Sequence, residues 1–195
     1  MRSGLPTLGF FAALLVFACS VAACSGALNS PPPRVTSDRV PPAMAPMLEA
    51  HNAVRAQLGV PPLRWSEGLA TYARQWAEHL AAHGCRMVHR RAAGAEVVQL
   101  GENLFWASPR RWSDGRVELQ PVTAAQPAID WASERADYDE RSHTCALGKV
   151  CGHYTQLAWH STRWVGCGFS ICPDLGQIWA CNYDPPGNWV GQRPY

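Results

Sequence analysis

Long basic runs are missing from this 195-residue chain. Arg90-Arg91 and Arg110-Arg111 are isolated pairs, and the formal charge is only +2. A nucleic-acid interface needs a clustered cationic face, so no nucleic-acid partner is expected. No Cys-x-x-Cys pair occurs either, which argues against a cysteine zinc site. No serine stands out with a histidine and an acid partner, and each cysteine of the domain has a use in a bridge. Nucleophilic catalysis therefore has no candidate. Charged residues are few, at 16%, against 47% hydrophobic residues, 16 Gly and 16 Pro. That is material for one cored domain with many turns.

The chain opens with an address. Met1-Arg2 is a short positive start, and the stretch to residue 23 is largely apolar, the pattern of a secretory signal peptide over residues 1–23. Val21-Ala22-Ala23-Cys24 resembles a bacterial lipoprotein box, in which the cysteine is lipidated and becomes the new N-terminus. Ordinary cleavage nearby is the competing reading. Removing Cys19 and Cys24 leaves Cys85, Cys145, Cys151, Cys167, Cys172 and Cys181, an even set, which favours lipidation at Cys24. Diacylation would anchor the protein stably. Residues 24–45 read as a Pro-rich tether and residues 46–195 as the domain. The expected location is outside the cytoplasm, either anchored at the cell envelope or secreted.

Periodicity places three helices. The first, over residues 46–58, carries Met47, Ala50, Val54 and Leu58 at helical spacing and stops at Gly59. His51 beside that stripe reads as a hydrogen-bonded core residue. The second starts at the N-cap Ser66, shows Leu69, Tyr72, Ala73, Trp76 and Leu80 on one face, and ends at Gly84. The third spans 124–138 with Pro127 in its first turn, and Glu134 lies one turn beyond Trp131. Near the C-terminus, Val165, Cys167, Phe169 and Ile171 alternate, as do Trp179, Cys181 and Tyr183. Pro173-Asp174-Leu175-Gly176 between them is a turn composition, so a hairpin is predicted.

Six cysteines permit fifteen pairings, and spacing alone selects none of them. Local geometry narrows the choice. Cys145 and Cys151 bracket a short loop, and Cys167 faces Cys181 across the hairpin. Cys85 then pairs with Cys172, a long bridge that constrains the unfolded chain by roughly 4 kcal/mol.

Three blocks carry a resemblance: Gly101-Glu102-Asn103-Leu104, Gly152-His153-Tyr154-Thr155-Gln156-Leu157-Ala158-Trp159, and Cys181-Asn182-Tyr183-Asp184-Pro185-Pro186-Gly187-Asn188. They closely resemble the signature blocks of the CAP superfamily, which comprises cysteine-rich secretory proteins, antigen five and the plant pathogenesis-related proteins of group one. Ala50-His51-Asn52-Ala53-Val54-Arg55 is similar to the family's first-helix block, and the chain end is especially similar to the plant group. The resemblance implies an α+β fold, a three-layer α-β-α sandwich with a central antiparallel sheet, and supports the three disulfides. It also implies a cleft tetrad of His89, Glu102, Glu134 and His153, although the segment from His89 to Glu102 is longer than in the plant proteins.

In such a cleft His89 and His153 are candidate ligands for zinc or another divalent metal, which is not required on sequence evidence. The glutamates would orient the imidazoles or act as bases. Relatives bind sterols and other lipids, which implies a non-enzymatic binding module, expected as a monomer. Its partner would be a lipid or sterol-like small molecule, or an extracellular protein, and Trp106 and Trp112 are a possible wall for the ligand. One alternative is a metal-dependent, peptidase-like hydrolase using the same cleft. Another is a protein-interaction or defence-type role, with residues 185–195 released as a peptide, as in plant relatives.

Overall fold

A computed structural model describes residues 39–90 and 99–195. The signal peptide, Cys24, most of the tether and the small-residue loop at 92–95 lie outside the described residues. Among the described residues there are four α-helices: α1 (Ala45–Gln57), α2 (Glu67–Ala82), α3 (Gln126–Ser133) and α4 (Gly152–Ala158). The strands, in chain order, are β1 (Arg64–Trp65), β2 (Gly101–Ala107), β3 (Arg110–Arg111), β4 (Val117–Glu118), β5 (Tyr138–Asp139), β6 (Thr144–Cys145), β7 (Trp164–Ile171) and β8 (Gln177–Asp184). The central sheet has the order β1-β7-β8-β2. It is antiparallel across β7, β8 and β2, as expected, and the two-residue edge strand β1 adds in parallel to β7.

The predicted hairpin is the middle of that sheet. Val165 pairs with Tyr183, Cys167 with Cys181 and Phe169 with Trp179. The alternating side chains therefore share one face, and the Phe169 and Trp179 rings stack at 4.3 Å. This face packs on Met47 of α1, Trp131 of α3 and Leu157 of α4. The opposite face carries Leu104, Ile178 and Ala180 and packs on Ala73, Ala77, Leu80 and Ala81 of α2. Three layers follow, with a core on each side of the sheet.

Helix limits follow local chemistry where it is strong. Ser66 caps α2 by accepting from the Leu69 amide at 3.0 Å. Gly84 ends the helix with φ +82°, and the Cys85 amide closes back on the Leu80 carbonyl at 2.8 Å. The buried stripe of α2 differs from the predicted one. Ala70, Ala77 and Ala81 join Leu69, Ala73 and Leu80, while Tyr72 and Trp76 sit beside the core. Small residues face the sheet because the sheet opposes them with glycines: an added Cβ on Gly166 would lie 2.2 Å from the Ala70 amide nitrogen.

Other limits depart from the sequence reading. Residues 124–138 do not form one helix, because α3 ends at Ser133 and Glu134–Asp137 tighten into a 3-10 turn. Helix α4 has seven residues, too few for a readable period. The chain also joins the core ahead of residue 46, with Val40 and Met44 packed against it.

All three expected disulfides are present, Cys85–Cys172, Cys145–Cys151 and Cys167–Cys181. The first ties the end of α2 to the hairpin tip. No helix among the described residues is long and apolar enough to cross a membrane.

Candidate functional site

The four tetrad residues form two His–Glu pairs. His89, just beyond α2, places Nδ1 2.8 Å from Glu102 Oε1 on β2, and the same oxygen accepts from the Arg90 amide at 3.0 Å. Glu102 is 9% exposed at its side chain and His89 64%. The hydrogen bond to Glu102 raises the His89 pKa, against some desolvation. Any stability from that pairing is therefore present below the unfolded value of the imidazole and lost as pH rises through the raised one.

His153 lies in the first turn of α4, with Nδ1 2.6 Å from Glu134 Oε1. Glu134 Oε2 accepts from the backbone amides of His153 and Tyr154 at 3.0 and 3.1 Å. One carboxylate thus caps a helix start and orients an imidazole. This explains why α3 gives way to a 3-10 turn at Glu134. The glutamate belongs to a helix nineteen residues further along the chain.

A buried polar chain links the layers. His51 Nδ1 donates to the Met47 carbonyl at 2.8 Å, and Tyr183 Oη donates to His51 Nε2 at 2.9 Å. Asn103 Nδ2 donates to Tyr183 Oη at 3.2 Å and to the His153 carbonyl at 3.0 Å. Consecutive β2 residues therefore hold the two pairs: Glu102 holds His89, and Asn103 holds His153. The reading of His51 as structural agrees with these contacts.

Burial lowers the His51 pKa to about 4, against the hydrogen bond to Met47. A folded value below the unfolded one near 6.5 makes stability fall as pH drops from about 6.5 toward 4. The expected loss is roughly 3 kcal/mol. Urea midpoints of the wild type and His51→Gln, compared across that window, check this. The wild type should lose the additional stability, and parallel profiles would refute the assignment.

Beside the His89–Glu102 pair lies a cavity of about 400 Å³. It is lined by Tyr72, His89, Arg90, Glu102, Gln156, Asn182 and the segment from Pro186 to Trp189, among others. Arg90 stacks on Tyr72, with its guanidinium carbon 3.6 Å from the ring centroid. His153 and Glu134 do not line this cavity, nor do Trp106 and Trp112. Trp112 instead lies between Arg110 and Arg116, whose guanidinium carbons are 5.7 and 5.3 Å from its ring centroid.

The final residues are tied to α4. The Gly187 amide donates to Gln156 Oε1 at 2.9 Å, Thr155 donates to Asn188 at 2.7 Å, and the Tyr195 hydroxyl meets that of Tyr154 at 2.7 Å. Sequence reasoning did not assign Arg55, Tyr72, Arg90, Gln156 or Asn182 a role. Asn182 and Gln156 stand inside the signature blocks, which was the available signal.

The candidate metal ligands are His89 and His153, each with Nδ1 engaged by a carboxylate and Nε2 left over. Among the described residues no group of three or more His, Cys, Asp or Glu is placed to hold a metal ion. Two imidazoles alone are fewer than the three protein ligands that a zinc site ordinarily takes.

A disulfide-stapled sandwich with two carboxylate–imidazole pairs at one end of its sheet defines a cysteine-rich domain of the exported kind. The family model described as "CAP: Cysteine-rich secretory protein family" matches residues 48–183. The chain belongs to this family. It is 43% identical over 148 residues to pathogenesis-related protein 1C of Nicotiana tabacum, covering 76% of this chain and 78% of the relative. It is 40% identical to pathogenesis-related protein 1 of Arabidopsis thaliana over 148 residues, 76% of this chain and 80% of that one. Among solved structures, venom allergen-like protein 4 of Schistosoma mansoni aligns with a TM-score of 0.59 at 23% identity, covering 80% of this chain and 95% of that one. NaASP2, solved with Zn²⁺, aligns at 0.58 and 22% identity, covering 78% and 84%. The protein is thus an exported CAP domain of the plant pathogenesis-related group-one type.

Proposed function

We propose that the protein is a non-enzymatic binding module, holding a small ligand in the cavity beside His89 and Glu102. The observation that supports this best is the state of the two carboxylates. Glu134 commits both oxygens, to His153 and to two backbone amides, and Glu102 commits Oε1 to His89 and the Arg90 amide, so each braces an imidazole. A general base needs a free oxygen beside an activated nucleophile, and Glu134 keeps none free. The segment from Pro186 to Trp189 and the stacked Arg90–Tyr72 pair line a concave space of ligand size.

Metal uptake, on this reading, is accessory. The two free Nε2 atoms are the places for it, with the glutamates orienting the rings from behind. NaASP2 was solved with Zn²⁺, which makes zinc the ion to test first. The lipoprotein anchor at Cys24 completes the proposal as the device that keeps the domain at the membrane surface.

Native mass spectrometry of the full exported chain, with and without chelator, tests the proposal. A co-purifying small molecule retained in chelator is the expected result. A chelator-sensitive hydrolysis abolished by both His89→Ala and His153→Ala would overturn it and favour a metal-dependent hydrolase.

A further inference from the structure

Outside the tetrad, a second pair of histidines stands close together. His79 lies in the last turn of α2, and His83 caps its end. Side chains four residues apart on a helix sit one above the other. Here the two rings stack, with centroids 4.1 Å apart and planes inclined by 29°. His79 is half-buried and His83 is exposed, and neither lines the cavity beside Glu102.

Each ring is held by its surroundings. His83 Nδ1 donates to the His79 carbonyl at 2.7 Å, satisfying a carbonyl that the helix end leaves open. In the neutral ring that bond puts the proton on Nδ1 and leaves Nε2 with a bare lone pair. A backbone carbonyl behind one nitrogen is the usual arrangement of a metal-binding histidine. His79 stacks on Trp76 at 4.9 Å and 14°, and Trp76 Nε1 in turn donates to the Val88 carbonyl at 2.9 Å. The ring nitrogens of His79 take no hydrogen bond among the described residues. Burial lowers the His79 pKa, and the charges of His83 and Arg90 lower it further, which keeps the ring neutral at neutral pH.

The place and the donor set narrow the ligand to a cation that imidazole binds well. The C-terminal end of α2 carries partial negative charge, which favours a cation there. Adjacent nitrogens on one ion, with metal–nitrogen bonds of about 2.0–2.1 Å, lie about 3 Å apart. The stacked rings are close to that spacing, and the exposed His83 ring has room to close it. Two protein ligands fall short of the three that zinc ordinarily takes. Copper(II) takes tetragonal nitrogen and oxygen sites and binds such donors more tightly than the other divalent ions of its row, with water in the remaining positions.

We propose that His79 and His83 form a surface site for copper(II), each giving one ring nitrogen and water completing the coordination. The site stands apart from the small-ligand cavity and does not depend on that reading.

The test uses the full exported chain with its disulfides intact and copper(II) alone as the probe. In proton–nitrogen NMR spectra, substoichiometric copper(II) should broaden the amides around His79 and His83 first. In titration calorimetry at neutral pH, His79→Gln and His83→Gln should each weaken the tightest binding by about a hundredfold, because a lone imidazole loses the gain from a tethered second ligand. His83 is exposed, so its variant keeps the test decisive if His79→Gln does not fold. Broadening that starts around His89 or His153 would overturn the site. So would copper(II) affinity that His83→Gln leaves unchanged, since the pair would then be a helix cap alone. Tighter binding of zinc than of copper(II) at this pair would overturn the choice of ion.

Discussion

Arg55→Met should lower the unfolding free energy by about 4 kcal/mol, on the order of 1 kcal/mol for each carbonyl it abandons. Arg55 is fully buried and has no carboxylate partner among the described residues. Its guanidinium instead donates to four backbone carbonyls: Pro61 at 2.7 Å, Leu157 at 2.8 Å, Trp159 at 2.9 Å and Thr162 at 3.2 Å. Leu157 and Trp159 stand at the C-terminal end of α4, where carbonyls lack helical partners and a cation is favoured. Burial lowers the Arg55 pKa to about 10, so the group stays charged at neutral pH. Lysine has one compact charge and no planar fork, so Arg55→Lys should recover less than half of the loss. Urea denaturation of the oxidised protein measures both variants. A loss under about 1 kcal/mol for Arg55→Met would mean that water takes over the four carbonyls. Because α4 carries His153 and Gln156, the same variant should also loosen the cavity floor and weaken ligand binding.

The second large effect comes from adding one methyl group. Gly166→Ala would set a Cβ 2.2 Å from the Ala70 nitrogen, 2.4 Å from the Ser66 carbonyl oxygen and 2.6 Å from the Leu69 carbonyl carbon. All three are backbone atoms at the start of α2 and cannot swing aside. Helix α2 must lift from the sheet, and the Ala73, Ala77, Ile178 and Ala180 core opens with it. The expected cost is about 3 kcal/mol or more, the upper range for overpacking. Gly148→Ala is the matched control. Gly148 has φ +74° with nothing near its Cβ direction, so only the left-handed backbone penalty of about 1–2 kcal/mol applies. If the two substitutions cost the same in chemical denaturation, the close packing of α2 on β7 is not what holds that layer.

These two positions show where sequence reasoning stops. Gly166 is a glycine inside a strand, and its need for space comes from Ala70, almost a hundred residues earlier. Arg55 reads as a polar position on an amphipathic helix, because three of the four carbonyls that receive it lie over a hundred residues further along. By contrast, the hairpin register was legible, since alternation of period two and a Pro-Asp-Leu-Gly turn leave one pairing in which Cys167 meets Cys181. The Ser66 cap was legible because its partner is three residues away. Helix α4 was missed because its cap, Glu134, is remote and its length gives no periodicity. The tetrad residues were legible only through the family blocks. Their division into two pairs was not, because it depends on Glu102 and Asn103 projecting from one strand toward different partners.

By itself the sequence determined an exported, six-cysteine CAP domain, its hairpin and its bridges, all of which rest on local spacing or on blocks of adjacent residues. Only the tertiary structure decided that each glutamate holds one imidazole and that Pro186 to Trp189 line a cavity beside one of those pairs. Those outcomes depend on hydrogen bonds between residues far apart in the chain, and a hydrogen bond is specified by position in space, which local pattern does not encode.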